Sequence, residues 1–233
     1  MLGPLDYLLW FSGPVAMLVG LVCLIASHQF LKYVAITTYL TTASLATFGQ
    51  YLVINHYGLK SHQYFYYYYY SESLFTILLF FVVIQFYQEL FLEMKAAAYI
   101  RRGAVCLLAA TAGFSYLVVH ANRDHMTSRF VVELGQNLYF LGVVLTYLLW
   151  FSILKLHESR TRLVQLVLAL GVYFSATAAA YALRNLFPSL QGSILHWIPP
   201  LASLWLPIAW AFTFLKIPEE ARLVTGRLLV RAR

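Results

Sequence analysis

The chain has 233 residues, 61% of them apolar and only 11% charged, with a mean hydropathy of +0.72. A soluble domain is about a quarter charged, so this chain has too few charges to cover a water-facing surface. Soluble enzyme, nucleic-acid-binding module and disordered linker are excluded. What remains is an all-α polytopic membrane protein. The net charge of +7 sits in short clusters between apolar runs, the pattern of basic loops beside a membrane.

A helix needs roughly 20 mostly apolar residues to cross the hydrocarbon core. On that scale seven runs are predicted to span: 5–27, 34–54, 64–91, 103–121, 130–156, 164–187 and 194–216. The first has no Lys or Arg ahead of it, so it is expected to be retained as a helix and not cleaved as a signal peptide. Span one contains Pro14 and span seven Pro199, Pro200 and Pro207, which are expected to kink or loosen those helices. Span three opens on Tyr66 to Tyr70, expected to form an interfacial aromatic belt, with any ring on the bundle side free to line a pocket. Small residues gather in span four (Ala109, Ala110, Ala112, Gly113) and span six (Ala176, Ala178, Ala179, Ala180), a signal of close helix packing. Cys23 and Cys106 both fall within apolar runs and are expected to be small buried hydrophobes.

These runs imply two parts, a seven-helix bundle over 1–216 and a basic tail over 217–233. The tail has Glu219 and Glu220 early and Arg222, Arg227, Arg231 and Arg233 later, which resembles an amphipathic helix lying on anionic inner-leaflet lipid. Lys and Arg number four in the N-terminus and the loops near 60, 125 and 190, against twelve in the other loops and the tail. The N-terminus is therefore expected outside and the C-terminus in the cytoplasm, with the plasma (inner) membrane as the location.

Ionisable groups inside spans are costly and are the first place to look for function. Glu72 is predicted roughly 12 Å below the outer start of span three, at about 1.5 Å per residue. Glu133, Gln136 and Asn137 stand at i, i+3 and i+4 on span five, near its outer end. Tyr181 and Arg184 lie on a span-six stripe that grows polar outward, and His196 and Trp197 open span seven at the same level. Two expectations are open for this cluster. One is a static network in which Arg184 pairs with Glu133 or Glu72; the other is an outward-open ligand pocket floored by Glu72. At the inner end, Gln85 is expected to be an ordinary interface residue. Glu89 and Glu93 are expected to neutralise Lys95, Arg101 and Arg102.

Seven helices with the N-terminus outside resemble the topology of rhodopsins and seven-helix receptors. The resemblance covers helix count and orientation only. Span seven has no mid-span lysine to hold retinal and no Asn-Pro-x-x-Tyr, and span three ends Glu89-Leu90-Phe91 where many receptors have an acidic-Arg-aromatic triplet. No nucleophile elbow, phosphate-binding glycine loop or zinc-binding helix motif is present. The expected function is therefore receptor-like or sensory, without catalysis, cofactor or metal. A small ligand would bind from the outer side and a separate membrane or cytoplasmic protein partner would carry the signal. The alternatives are a non-catalytic subunit of a larger membrane complex, or a small-solute or proton-coupled carrier using Glu72. The bilayer is the remaining expected partner, and nucleic acid is not expected to bind.

Overall fold

A computed structural model of the chain describes residues 4–92, 97–120, 126–187, 197–224 and 227–229. Among them are seven helices: α1 (Pro4–Ala26), α2 (Val34–Tyr57), α3 (His62–Leu90), α4 (Ala97–His120), α5 (Met126–Lys155), α6 (Thr161–Leu186) and α7 (Ile198–Lys216). Five are long and apolar enough to cross a membrane: α3, α7, and the segments Ala98–His120, Phe130–Lys155 and Thr161–Arg184 of α4, α5 and α6. This is a helical membrane protein. The described side chains of α1, Ser12–Ala26, form a shorter apolar stretch. Helix α2 is long enough, but its threonines and Ser44 help lower its hydropathy. Those hydroxyls bond back to the preceding turn, Thr38 to Val34 O, Ser44 to Leu40 O and Thr47 to Ala43 O, each at 2.8 Å. They are thus satisfied without leaving the helix.

Most boundaries fall within a few residues of the predicted runs, because each helix ends where its apolar run does. Helix α4 starts six residues early: Ala97, Ala98, Arg101 and Arg102 are strong helix formers that a hydropathy reading passes over. Pro199 and Pro200 do not loosen α7. They occupy its first turn, where a missing N–H costs nothing. Pro207 alone lies in its interior, and its carbonyl passes close to Gly20 of α1.

The helices pack as a closed ring in the order α1, α2, α3, α5, α6, α7, with α7 returning to α1. Helix α4 lies outside it, against α5 and the edge of α3. Helices α3 and α5 run parallel and in register: Ser73 Oγ donates to Val131 O at 2.7 Å and Tyr87 Oη to Leu145 O at 2.8 Å, pairs equally spaced in sequence. Trp210 of α7 is wholly buried at the ring's centre, edge-on to Tyr39 of α2 with ring centroids 5.9 Å apart. Cys23 is buried as expected, but Cys106 is on the exposed side of α4. The two small-residue stretches also diverge. Ala178 and Ala180 of α6 are buried in helix contacts, whereas Ala109, Ala110 and Gly113 of α4 are exposed.

We call the end where α1 starts the near end, and the end where α7 finishes the far end. Hydrogen bonds tie the far end together. Helices α1 and α5 both stop at a histidine with positive φ, His28 (φ 55) and His157 (φ 51). The next amide then reaches five residues back, Gln29 N to Leu24 O and Glu158 N to Ile153 O, a left-handed helix stop. From the α1–α2 link, Gln29 Nε2 donates to Glu219 at 2.8 Å and Lys32 pairs with the same carboxylate. Arg162 of α6 donates to Ile217 O through Nε at 2.9 Å, and Thr161 N donates to Ala221 O at 3.1 Å. Glu89 faces Arg160 at 3.7 Å and not Arg101 or Arg102. Glu93 and Lys95 lie outside the described residues.

The tail departs from the expected amphipathic helix. Glu219 is drawn to Lys32 and Gln29, and Ala221 is held on the start of α6, so the first helical turn does not form. Arg222–Val224 (β1) then pairs antiparallel with Arg227–Leu229 (β2). Arg231 and Arg233 lie outside the described residues.

Glu158, in the α5–α6 link, ties this end to pH. Burial opposes its charge, but the Arg160 amide at 2.8 Å and guanidinium at 2.7 Å outweigh burial and hold its carboxyl below the usual carboxylate range. The folded state thus binds this proton less tightly than the unfolded chain. The stability it contributes is complete above the unfolded carboxylate pKa and disappears as pH falls through the lower folded one. Glu158→Gln is expected to melt lower at neutral pH and to lose less of its Tm than the unchanged protein between about pH 6 and about pH 3. Equal acid slopes for the two proteins in detergent would refute this.

Candidate functional site

At the near end a partly open cleft of about 260 Å³ lies between α3, α5 and α6. Helix α3 contributes Tyr68, Tyr69, Glu72 and Ser73; α5 contributes Val131, Val132, Gly135, Gln136 and Tyr139; α6 contributes Tyr181 and Arg184. The parallel register of α3 and α5 brings their early turns to one level. Gly135 faces Ser73 across this contact, and a Cβ there would stand 3.5 Å from Ser73 Oγ, an ordinary van der Waals distance.

Glu72 anchors the cleft. Tyr139 Oη donates to its Oε1 at 2.6 Å, and the hydroxyls of Tyr139 and Tyr173 are 3.2 Å apart. Both tyrosines are buried, at 1% and 5% exposure, so a short hydroxyl chain leads from the carboxylate into the bundle. Tyr181 packs on Tyr139 with ring centroids 5.5 Å apart, and Arg184 follows one turn nearer the near end. A short O–H···O contact to a carboxylate is among the stronger hydrogen bonds, contributing about 1.5–3 kcal/mol. It also fixes the carboxylate's orientation. Among the described residues none donates a hydrogen bond to Oε2.

Of the eight residues singled out from sequence, the structure brings Glu72, Gln136, Tyr181 and Arg184 into this cleft. Asn137 turns the other way, and its Nδ2 donates to Ser115 Oγ of α4 at 2.9 Å. Glu133, one turn before Asn137, does not line the cleft. Trp197 stands just before α7 and does not line it either. His196 lies outside the described residues. Lys32–Glu219, Arg160–Glu89 and Arg160–Glu158 are ion pairs of the far end.

Sequence reasoning missed Tyr139, which holds the carboxylate, and Tyr173, whose hydroxyl meets that of Tyr139. Their signal is weak: Tyr139 is three residues after Gln136, but a tyrosine in an apolar run ordinarily reads as packing. The tyrosine run divides. Tyr68 and Tyr69 line the cleft, Tyr67 donates to Ala46 O of α2 at 3.1 Å, and Tyr66 and Tyr70 are exposed. Among the described residues no three of His, Cys, Asp and Glu gather to hold a metal ion. No family model, curated protein or solved structure matches the chain.

Proposed function

We propose that the chain is a seven-span, receptor-like or sensory protein of the plasma (inner) membrane. Its N-terminus is outside, its C-terminus is cytoplasmic, and the cleft takes a small ligand from the outer side. The supporting observation is the cleft itself: a carboxylate and a guanidinium on different helices, walled by tyrosines, at the end of a bundle whose core is mostly apolar. An ionisable side chain set within an apolar span, as Glu72 is in α3, is costly and marks a functional site. The basic clusters of Arg101, Arg102, Arg160 and Arg162 fit the positive-inside pattern on the other face, where a separate partner would receive the signal.

Native mass spectrometry of protein extracted from its own membrane tests this. The expected result is an added mass of a few hundred daltons or less, reduced in Glu72→Gln and in Tyr139→Phe while both variants keep their helicity. Stoichiometric protein companions with no such mass would replace this reading with that of a complex subunit. The Glu72–Tyr139–Tyr173 hydroxyl chain supports a second reading, a proton-coupled carrier with Glu72 as the protonated group. Uptake into proteoliposomes that depends on a pH gradient and is lost in Glu72→Gln would establish it.

A further inference from the structure

Among the described residues three buried side-chain polar atoms have no hydrogen-bond partner: Gln29 Oε1, Thr161 Oγ1 and Arg162 Nη1. All three residues hold one short segment at the far end. Residues 218–221 form a turn closed by Ala221 N, which donates to Pro218 O at 3.1 Å. At the entrance of the turn Arg162 donates to Ile217 O through Nε at 2.9 Å and Nη2 at 2.5 Å. At its exit Thr161 N donates to Ala221 O, and at its tip Gln29 Nε2 and Lys32 meet the Glu219 carboxylate. A closed turn keeps its ends within about 7 Å of each other, so these groups share one small seat at the start of α6.

The turn is an imperfect occupant of that seat. It offers oxygens only: the Glu219 carboxylate and the carbonyls of Ile217 and Ala221. These leave Thr161 Oγ1 and Arg162 Nη1 without an acceptor, in residues that are 1% and 6% exposed. Each such group costs about 1–3 kcal/mol. The clasp at the tip is weak by comparison. The Lys32 and Glu219 side chains are 35% and 42% exposed, and exposed pairs contribute about 0–1 kcal/mol. With the turn lifted, a phosphate brings a negative charge like that of Glu219 and more acceptor oxygens than a carboxylate, spread over a tetrahedron. The start of a helix favours such an anion further. Water or a headgroup hydroxyl then reaches Gln29 Oε1.

The surroundings point to lipid as the source. Phe30 and Leu31, between Gln29 and Lys32 in the α1–α2 link, are exposed. Apolar side chains exposed beside a lysine at the end of a membrane bundle belong at the bilayer boundary, where the lysine reaches the level of the phosphates. We propose that the seat formed by Gln29, Lys32, Thr161 and Arg162 binds the phosphate of an anionic lipid headgroup. The turn carrying Glu219 is its internal stand-in and is displaced when the lipid binds.

The full chain in nanodiscs of mixed phosphatidylglycerol and phosphatidylcholine tests this. Native mass spectrometry should show phosphatidylglycerol retained on the protein in preference to phosphatidylcholine. Glu219→Gln weakens the stand-in and should raise that retention about two- to fivefold, the size of an exposed ion pair. Lys32→Gln should lower retention, and Lys155→Gln, outside the seat, should leave it unchanged. Thr161→Val removes a hydroxyl that the docked turn leaves unmet, so it should lower retention without lowering Tm. If Glu219 only braces the fold, Glu219→Gln leaves retention equal or lower and the proposal falls. That comparison stands even where Lys32→Gln fails to fold. Inorganic phosphate is the second arm, added to phosphatidylcholine discs and compared with chloride at equal ionic strength. If it raises Tm, Thr161→Val abolishes the rise and the two lipids are retained equally, the seat takes free phosphate and the lipid source is overturned. If the lipids are retained equally and phosphate has no effect, there is no anion site.

Discussion

Gly142→Ala destabilises the bundle, although alanine is the better helix former. A Cβ at Gly142 would stand 2.5 Å from Phe174 Cε1, 2.6 Å from Cδ1 and 2.8 Å from Cζ. Phe174 has no room to retreat, being 1% exposed and set edge-on against Tyr139 at 6.2 Å and Tyr173 at 5.8 Å. Overpacking of this kind costs about 1–3 kcal/mol, more than the ~0.5–1 kcal/mol that alanine contributes over glycine in a helix. The comparison is Gly49→Ala, where the added Cβ would meet Tyr67 Oη at 2.1 Å. That atom is the far end of a half-buried side chain. Its ring can swing away for the loss of one hydrogen bond, about 0.5–1.5 kcal/mol, which helix propensity largely offsets. Unfolding in mixed micelles should therefore show Gly142→Ala well below Gly49→Ala, and Gly142→Ala with Phe174→Leu should recover part of the loss. Equal stability for the two alanine variants would mean that α5 and α6 do not approach as closely as described.

Gln85→Leu is expected to have the second large effect, for a different reason. Helix α2 starts after Tyr33 without a side-chain cap of its own. Gln85, from α3, supplies one: its Oε1 accepts from Ala35 N at 3.0 Å and its Nε2 donates to Lys32 O at 2.5 Å. Leucine fills similar space but leaves an amide and a carbonyl without partners. Each such group costs about 1–3 kcal/mol where water cannot reach it, and less here because the site is half-buried. The stability loss should come with a local signature, faster hydrogen exchange at the Ala35 amide and slight change in α5 or α6. Unchanged exchange there would show that α2 starts independently of α3.

The residues explain how much of this was legible beforehand. Helix positions were, because runs of roughly twenty apolar residues broken by polar clusters have few other solutions. Which face of α5 meets which neighbour was not. Glu133 and Asn137 share a stripe with Gln136 on a lone helix, but α5 is flanked by both α3 and α4. The stripe through Val131, Gly135 and Tyr139 turns to the cleft, and Asn137 turns to Ser115 on α4. Periodicity assigns faces and does not assign neighbours. The cap from Gln85 and the docking of Glu219 on Lys32 were hidden for the same reason, since each joins segments far apart in sequence. In the tail, charge spacing fitted a helix, but backbone bonds to Thr161 prevailed.

The position of α4 outside the ring has a consequence for how the chain can diverge. Because α3 and α5 lie side by side and parallel, the chain must return to its starting level between them, and α4 is that return path. Its described buried residues are Ala104, Ser115 and Val119, with Ile100 and Leu108 half-buried against the core, and most of its remaining surface is exposed. Most of its positions thus answer to the bilayer and few to partner side chains, so one apolar residue serves there about as well as another. Over evolutionary time α4 is free to exchange its side chains wholesale while α3 and α5 are held nearly fixed, since a change on either of those must be matched across their shared register.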